Sequence, residues 1–201
     1  MSHGRNKLLK INSIYPTQLA IGLREVDKRK RRMKRLSSKE LRKHLEKNPV
    51  PIVIGPKKRA YLIDHHHLVR ACLELGITQV FVEKHKDMSH LSPAEFWKEM
   101  EKEHWVHLYD EFGHGPHSPV DLPQTVRSLG DDPFRSIAWE IRERGGYIKT
   151  DMPFAEFAWA NFFRRSLGMH PVADDWKEAL QAAERLCRST RAKSLPGYKK
   201  K

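Results

Sequence analysis

Ile63-Asp64-His65-His66-His67-Leu68-Val69-Arg70-Ala71 is the stretch on which the fold turns, because an apolar run passes into helical spacing within a few residues. Upstream, Ala60-Tyr61-Leu62-Ile63 reads as a short strand; downstream, Val69, Cys72, Leu73 and Leu75 recur at helical spacing, and Gly76 is placed to end the helix. A strand that feeds straight into a helix presents the helix's first N–H groups and the positive end of its dipole at the junction. Phosphate is favoured at such a point. Asp64 can cap the helix or act as a general base, while His65, His66 and His67 can donate hydrogen bonds to phosphate oxygens and add charge when protonated. Two plainer readings stand beside this one: Asp64 as a simple N-cap with surface histidines, and the histidines as metal ligands. Successive residues entering a helix point in different directions, so at most two of the three could face one ion.

Working outward, Ile52-Val53-Ile54 and Ala60-Tyr61-Leu62-Ile63 flank Gly55-Pro56-Lys57-Lys58 and predict a hairpin. Ser37 with Glu40 forms a capping-box pattern that opens a helix over 38–47, and Leu8-Leu9-Lys10-Ile11 and Gln79-Val80-Phe81-Val82-Glu83 read as strands. The order strand, helix, hairpin, helix, strand predicts a small α+β domain over 1–88. Beyond it, Ser92-Pro93 with Glu95 starts one helix, Leu108 to Pro123 is a loop rich in Gly, Pro and His, and Asp132-Pro133 opens a helix over 133–144. Phe154, Phe157, Trp159, Phe162 and Phe163 crowd the next helix, and their spacing fits a buried core rather than a base-stacking platform. Trp97, Trp105 and Trp139 are expected in that same core. Residues 89–187 are thus a helical, aromatic-rich region, and 188–201 a basic flexible tail.

Composition bounds the function. The chain of 201 residues carries net charge +13, yet 18 of its 38 Lys and Arg lie in residues 1–60 against four acids, so that third alone is +14. A field so concentrated can hold a polyanion by releasing counterions from its phosphates. Lys28-Arg29-Lys30-Arg31-Arg32-Met33-Lys34-Arg35 packs seven cations into eight residues, which predicts a mobile or ligand-ordered segment. It reads as a nucleic-acid arm, a lid over nucleotide phosphate, or a solvated face. No clear recognition helix follows it, so site-specific DNA reading is not predicted. Cys72 and Cys187 are far apart and outside any C-x-x-C pair, which suits a reducing compartment. No signal-peptide pattern or membrane-length apolar run is present, so a cytoplasmic protein with no membrane contact is expected. His104, His107, His114 and His117 near the glycine-rich loop are weighed as a metal site or as solvated loop residues.

The order Ile14-x-Pro16-Thr17-Gln18, Gly22-x-x-Glu25-Val26, Pro51-Ile52-Val53-Ile54, Ile63-Asp64-His65-His66-His67 and Arg70-Ala71 resembles the ParB/sulfiredoxin superfamily, and more closely the bacterial ParB-like nuclease family. Asp131-Asp132-Pro133-Phe134-Arg135-Ser136, Gly145-Gly146-Tyr147 and Pro153-Phe154-x-Glu156-Phe157-x-Trp159-Ala160-x-Phe162-Phe163-Arg164 resemble that family's later segments, so the likeness covers roughly residues 8 to 165. It implies a nucleotide-binding α+β fold that relatives use for CTP-dependent DNA clamping in chromosome partitioning, ATP-dependent repair of oxidised cysteine, serine phosphorylation from ADP, or nuclease activity. That spread keeps the reaction open. The superfamily's phosphate segment commonly reads Asp-Gly-x-His-Arg or Gly-x-x-Arg; here His65 stands where glycine is usual and Leu68 where arginine is usual, with Arg70 as a candidate substitute. Glu25 resembles the catalytic carboxylate of kinase-like relatives. Sulfiredoxin chemistry needs a cysteine inside the phosphate loop, whereas Cys72 lies a turn into the helix.

The expected function is therefore phosphodiester cleavage or phosphotransfer, with Asp64, Glu25 and His66 catalytic, His65, His67 and Arg70 binding phosphate, and Lys28, Arg29, Lys30, Arg31, Arg32, Lys34 and Arg35 gathering nucleic acid. ATP, ADP or CTP with Mg²⁺ are the candidate ligands. The alternative is a non-catalytic nucleotide- or DNA-binding module.

Overall fold

The computed structural model of the chain describes residues 7–168 and 175–199. The fold is α+β, as its sequence predicts, and it divides into two compact units: Met1–Ile21 with Val26–Gly130, and Gly22–Glu25 with Asp131–Lys201. The strands are β1 (Lys7–Lys10), β2 (Ile14–Pro16), β3 (Ala20–Ile21), β4 (Val50–Ile54), β5 (Ala60–Leu62), β6 (Gln79–Asp87) and β7 (Gly130–Asp131). The helices are α1 (Leu23–Met33), α2 (Ser38–Lys47), α3 (His66–Glu74), α4 (Pro93–Lys102), α5 (Pro133–Glu143), α6 (Ala155–Leu167) and α7 (Trp176–Cys187).

The first unit is built on a five-stranded mixed sheet of order β1-β6-β4-β5-β2. The predicted hairpin is present, with Val53 opposite Tyr61 in an antiparallel β4–β5 pair, while β2 runs parallel to β5 and β4 parallel to β6. Val53 and Tyr61 share one sheet face, where Phe96 and Met100 of α4, together with Val106, Leu108 and Leu122, close over them. Gly55 is required at the hairpin, because a Cβ there would lie 2.7 Å from the Phe96 and Tyr61 rings. This packing carries the unit past the boundary predicted at residue 88, to Gly130: the segment after β6 holds the apolar cover that the sheet needs. It also takes Trp97 and Trp105 into the first unit instead of the aromatic core further along the chain.

Local signals set the helix ends. Ser37 with Glu40 and Ser92 with Glu95 both form complete capping boxes, each worth about 1 kcal/mol. The basic run differs from its prediction, since α1 continues to Met33. Val26 and Met33 bury one face of that helix, and Lys30 is neutralised by Asp27 at 3.0 Å and Glu74 at 2.6 Å. Two carboxylates and a buried stripe offset the repulsion that sequence alone suggests.

In the second unit α5, α6 and α7 pack Phe134, Ile137, Trp159, Phe163, Leu180 and Cys187 into a core; of the predicted aromatic stripe Trp159, Phe162 and Phe163 are buried in it, while Phe154 and Phe157 are half-buried. Tyr147 stacks on Trp159 at 4.3 Å and donates from its hydroxyl to the Ala138 carbonyl. The predicted flexible tail is packed over 188–199: Ala192 is buried, Trp159 Nε1 donates to the Pro196 carbonyl, and Ile148 N donates to the Gly197 carbonyl. Ala192, Leu195 and Tyr198 give the basic tail an apolar underside. Residues 200–201 lie outside the described residues.

Candidate functional site

Leu62, fully buried, ends β5, and the chain reaches α3 through Ile63, Asp64 and His65. His65 turns the backbone with φ +67 and ψ +22, the left-handed region that glycine enters without cost and other residues rarely adopt. Asp64 is exposed, and its Oδ1 accepts from His65 N at 2.6 Å; it brackets the turn but provides no cap to α3. His65 Nδ1 is buried without a hydrogen-bond partner among the described residues.

His66 turns inward and is 2 % exposed, and its Nε2 accepts from Thr17 N at 3.2 Å. For that bond the Nε2 lone pair must be available, so the ring is neutral with its proton on Nδ1. Thr17, also fully buried, donates from Oγ1 to the Leu62 carbonyl at 2.6 Å and accepts at its carbonyl from His107 N at 2.9 Å. The Thr17 peptide thereby locks the end of β2 to the β5–α3 junction. The histidines thus separate into a left-handed turn residue, a buried neutral strut, and a half-buried His67 on the first turn of α3.

Arg70 is committed to the fold: Nε donates to Glu74 at 2.5 Å, and Nη1 to the carbonyls of Val126 and Arg127 at 3.1 and 3.0 Å. Glu74 also receives Lys30. Burial alone would raise the Glu74 carboxyl, but hydrogen bonds from Lys30 and Arg70 outweigh it and hold the group below its ordinary value. The Glu74 hydrogen bond, with Asp27 behind it, holds Lys30 above its own. Of the basic run, Lys28, Arg31, Arg32, Lys34 and Arg35 are exposed, while Arg29 and Lys30 are half-buried.

Glu25 belongs to the second unit and is 4 % exposed. The segment that carries it is fixed by Leu23 N donating to Asp131 Oδ1 at 2.9 Å and Arg24 N donating to Ser136 Oγ at 3.2 Å. A Cβ at Gly22 would meet Ser136 N at 2.7 Å, so Gly22-x-x-Glu25 and Asp131-x-x-x-x-Ser136 are one interlocked piece of structure. Asp132 caps α5 by accepting from Phe134 N and Arg135 N and receives Arg164 at 2.5 Å; burial nonetheless pushes its carboxyl up.

No group of three or more His, Cys, Asp or Glu side chains is arranged to hold a metal among the described residues. In the glycine-rich loop, His114 and His117 turn to the Asp110 carboxylate instead, at 3.7 and 3.3 Å, and His107 packs on Tyr109. Burial pushes the Cys72 thiol up to about 12, which removes it as a nucleophile at neutral pH. No helix of the described residues is long and apolar enough to cross a membrane. Thr17 and Glu74 are the organising residues that sequence reading passed over. Thr17 lay inside a quoted motif, but Glu74 carried no local signal.

A family profile described as "Putative ParB-like nuclease" matches residues 8–165. Among solved structures, the crystal structure of protein Atu1540 from Agrobacterium tumefaciens is similar at 38% sequence identity, covering 97% of this chain and 96% of that one with a TM-score of 0.90. No curated protein matches.

Proposed function

Because the chain belongs to the ParB-like nuclease family, we propose that its Asp64–His67 turn handles the phosphate of a nucleotide or nucleic acid, cleaving a phosphodiester or transferring a phosphoryl group. The observation that carries this reading is the backbone at His65. A non-glycine residue is held at φ +67 where superfamily relatives commonly place glycine in a phosphate loop, so the loop's shape is kept at a conformational cost. Asp64, exposed on the turn, acts as general base, and His67 on the first turn of α3 contributes to phosphate binding. As an alternative to the base role, Asp64 would be the carboxylate that holds a Mg²⁺ beside the substrate's phosphate oxygens, and the ion would neutralise phosphate charge there.

A second reading, a binding module without turnover, is favoured by the commitment of His66 Nε2 to Thr17 and of Arg70 to Glu74 and the 126–127 carbonyls. Those bonds occupy two of the groups a catalytic site would use. Binding of CTP, ATP, ADP and DNA measured beside product formation under varied Mg²⁺ separates the two. Turnover that disappears in Asp64→Asn, with folding intact, supports the enzyme; binding without product supports the module; full activity in Asp64→Asn removes the assigned base. Glu25→Gln, in the other unit, is a separate arm for the second carboxylate.

A further inference from the structure

A cavity of about 320 Å³ opens on the α4 side of the first unit's sheet, and none of residues 64–67 lines it. Tyr15, Tyr61 and Trp97 wall it, with the Tyr15 and Tyr61 rings 5.7 Å apart and the Trp97 ring set edge-on to Tyr61 at 5.4 Å. Lys57 and Arg59 stand at its margin, the Arg59 guanidinium 5.0 Å from the Tyr15 ring centre and in reach of the Tyr61 hydroxyl. No carboxylate lines the cavity. Among the described residues, no ion pair neutralises Lys57, Lys58 or Arg59. The turn that presents them is strained: Lys57 and Lys58 hold φ of +58 and +56 in succession, fixed by Gly55 N donating to the Arg59 carbonyl at 2.8 Å. Asn and Gly are the residues that take such a conformation at little cost, so two lysines there are not explained by the turn itself. Val120, 83 % exposed, leaves an apolar edge on the opposite lip.

We infer that this cavity is a binding site for a planar anion, an aromatic ring carrying phosphate, with the ring against Tyr15 and Trp97 and the phosphate on Arg59 and Lys57. Aromatic walls attract a flat π-surface, and a guanidinium fork pairs with phosphate in a fixed geometry. The volume lies at the small-molecule end of the roughly 300–1,000 Å³ range of ligand pockets. Two cations and no carboxylate in the lining favour an anion over a neutral proline-rich segment. This site is independent of the Asp64–His67 turn.

The test is calorimetric titration of the full chain with AMP, UMP, adenosine, inorganic phosphate, a short single-stranded oligonucleotide and a proline-rich peptide. The mononucleotides are expected to saturate one site in the cavity, with adenosine and inorganic phosphate at least tenfold weaker. Arg59→Gln, an exposed change that leaves the core untouched, should weaken AMP at least tenfold, and Trp97→Leu should do the same with folding checked by circular dichroism. Nucleotide held at the Asp64–His67 turn is separated as the component lost in Asp64→Asn and His67→Ala; the cavity component is retained in both and lost in Arg59→Gln. An oligonucleotide that binds more tightly than AMP, and loses that binding in Arg59→Gln, identifies a strand end as the source of the ligand; equal or weaker binding identifies the free nucleotide. The proposal is overturned if no ring-bearing phosphate binds, if inorganic phosphate binds as tightly as AMP, if the peptide alone occupies the cavity, or if AMP binding survives Arg59→Gln and disappears in the turn variants.

Discussion

At the residue scale, His65 shows how a side chain can occupy a position whose backbone belongs to glycine. Its φ of +67 costs about 1 kcal/mol or more relative to a residue free to turn left-handed. His65→Gly should therefore raise the thermal midpoint while lowering phosphate affinity; a variant that melts earlier than the parent would show that the imidazole, not the turn, holds the junction together. The sequence shows His65 in glycine's place but not that the backbone keeps glycine's conformation, because φ is decided by what the strand and helix on either side require. The sequence assigns His66 to catalysis and His65 and His67 to phosphate, but it does not show which ring is buried. Which of the three turns inward depends on where the helix face meets Thr17, a partner 49 residues away in sequence, and nothing in three identical letters encodes that.

Elements were legible where their signals are local. Ser37 with Glu40 and Ser92 with Glu95 cap the helices that their spacing predicted, and Asp132-Pro133 opens α5. The helix through the basic run was not legible, since Lys30's second carboxylate, Glu74, sits 44 residues on. That pairing carries a pH signature. Glu74 is held below its unfolded value by Lys30 and Arg70, against the effect of burial, so its contribution to stability is present above about pH 4.3 and is lost as pH falls through the folded value. Urea unfolding of Glu74→Gln should show lower stability than the parent at pH 7 and a gap that narrows in acid. A gap that stays constant from pH 7 to 3 would mean the carboxylate's charge is not what ties α1 to α3.

At the scale of the whole molecule, charge and topology set different limits. The excess positive charge of the first 60 residues surfaces in part as Lys28, Arg31, Arg32, Lys34 and Arg35, all exposed. If they meet nucleic acid, replacing Arg31, Arg32, Lys34 and Arg35 with Gln should lower the slope of log affinity against log salt by about 0.9 for each duplex-DNA phosphate that is no longer neutralised. An unchanged slope would assign them to solvation. The division at Gly130 rather than residue 88 was out of reach of composition, because it rests on Phe96, Met100 and Leu122 meeting Val53 and Tyr61 across long stretches of chain. The strand order has a consequence in time. β1 and β2, the first strands to be synthesised, form the two outer edges of the sheet, and their partners β6 and β5 come more than 40 residues later. Until the ribosome has delivered those partners, Leu8, Leu9 and Ile14 have no sheet to join, so the two edge strands wait on pairing that comes from far along the chain.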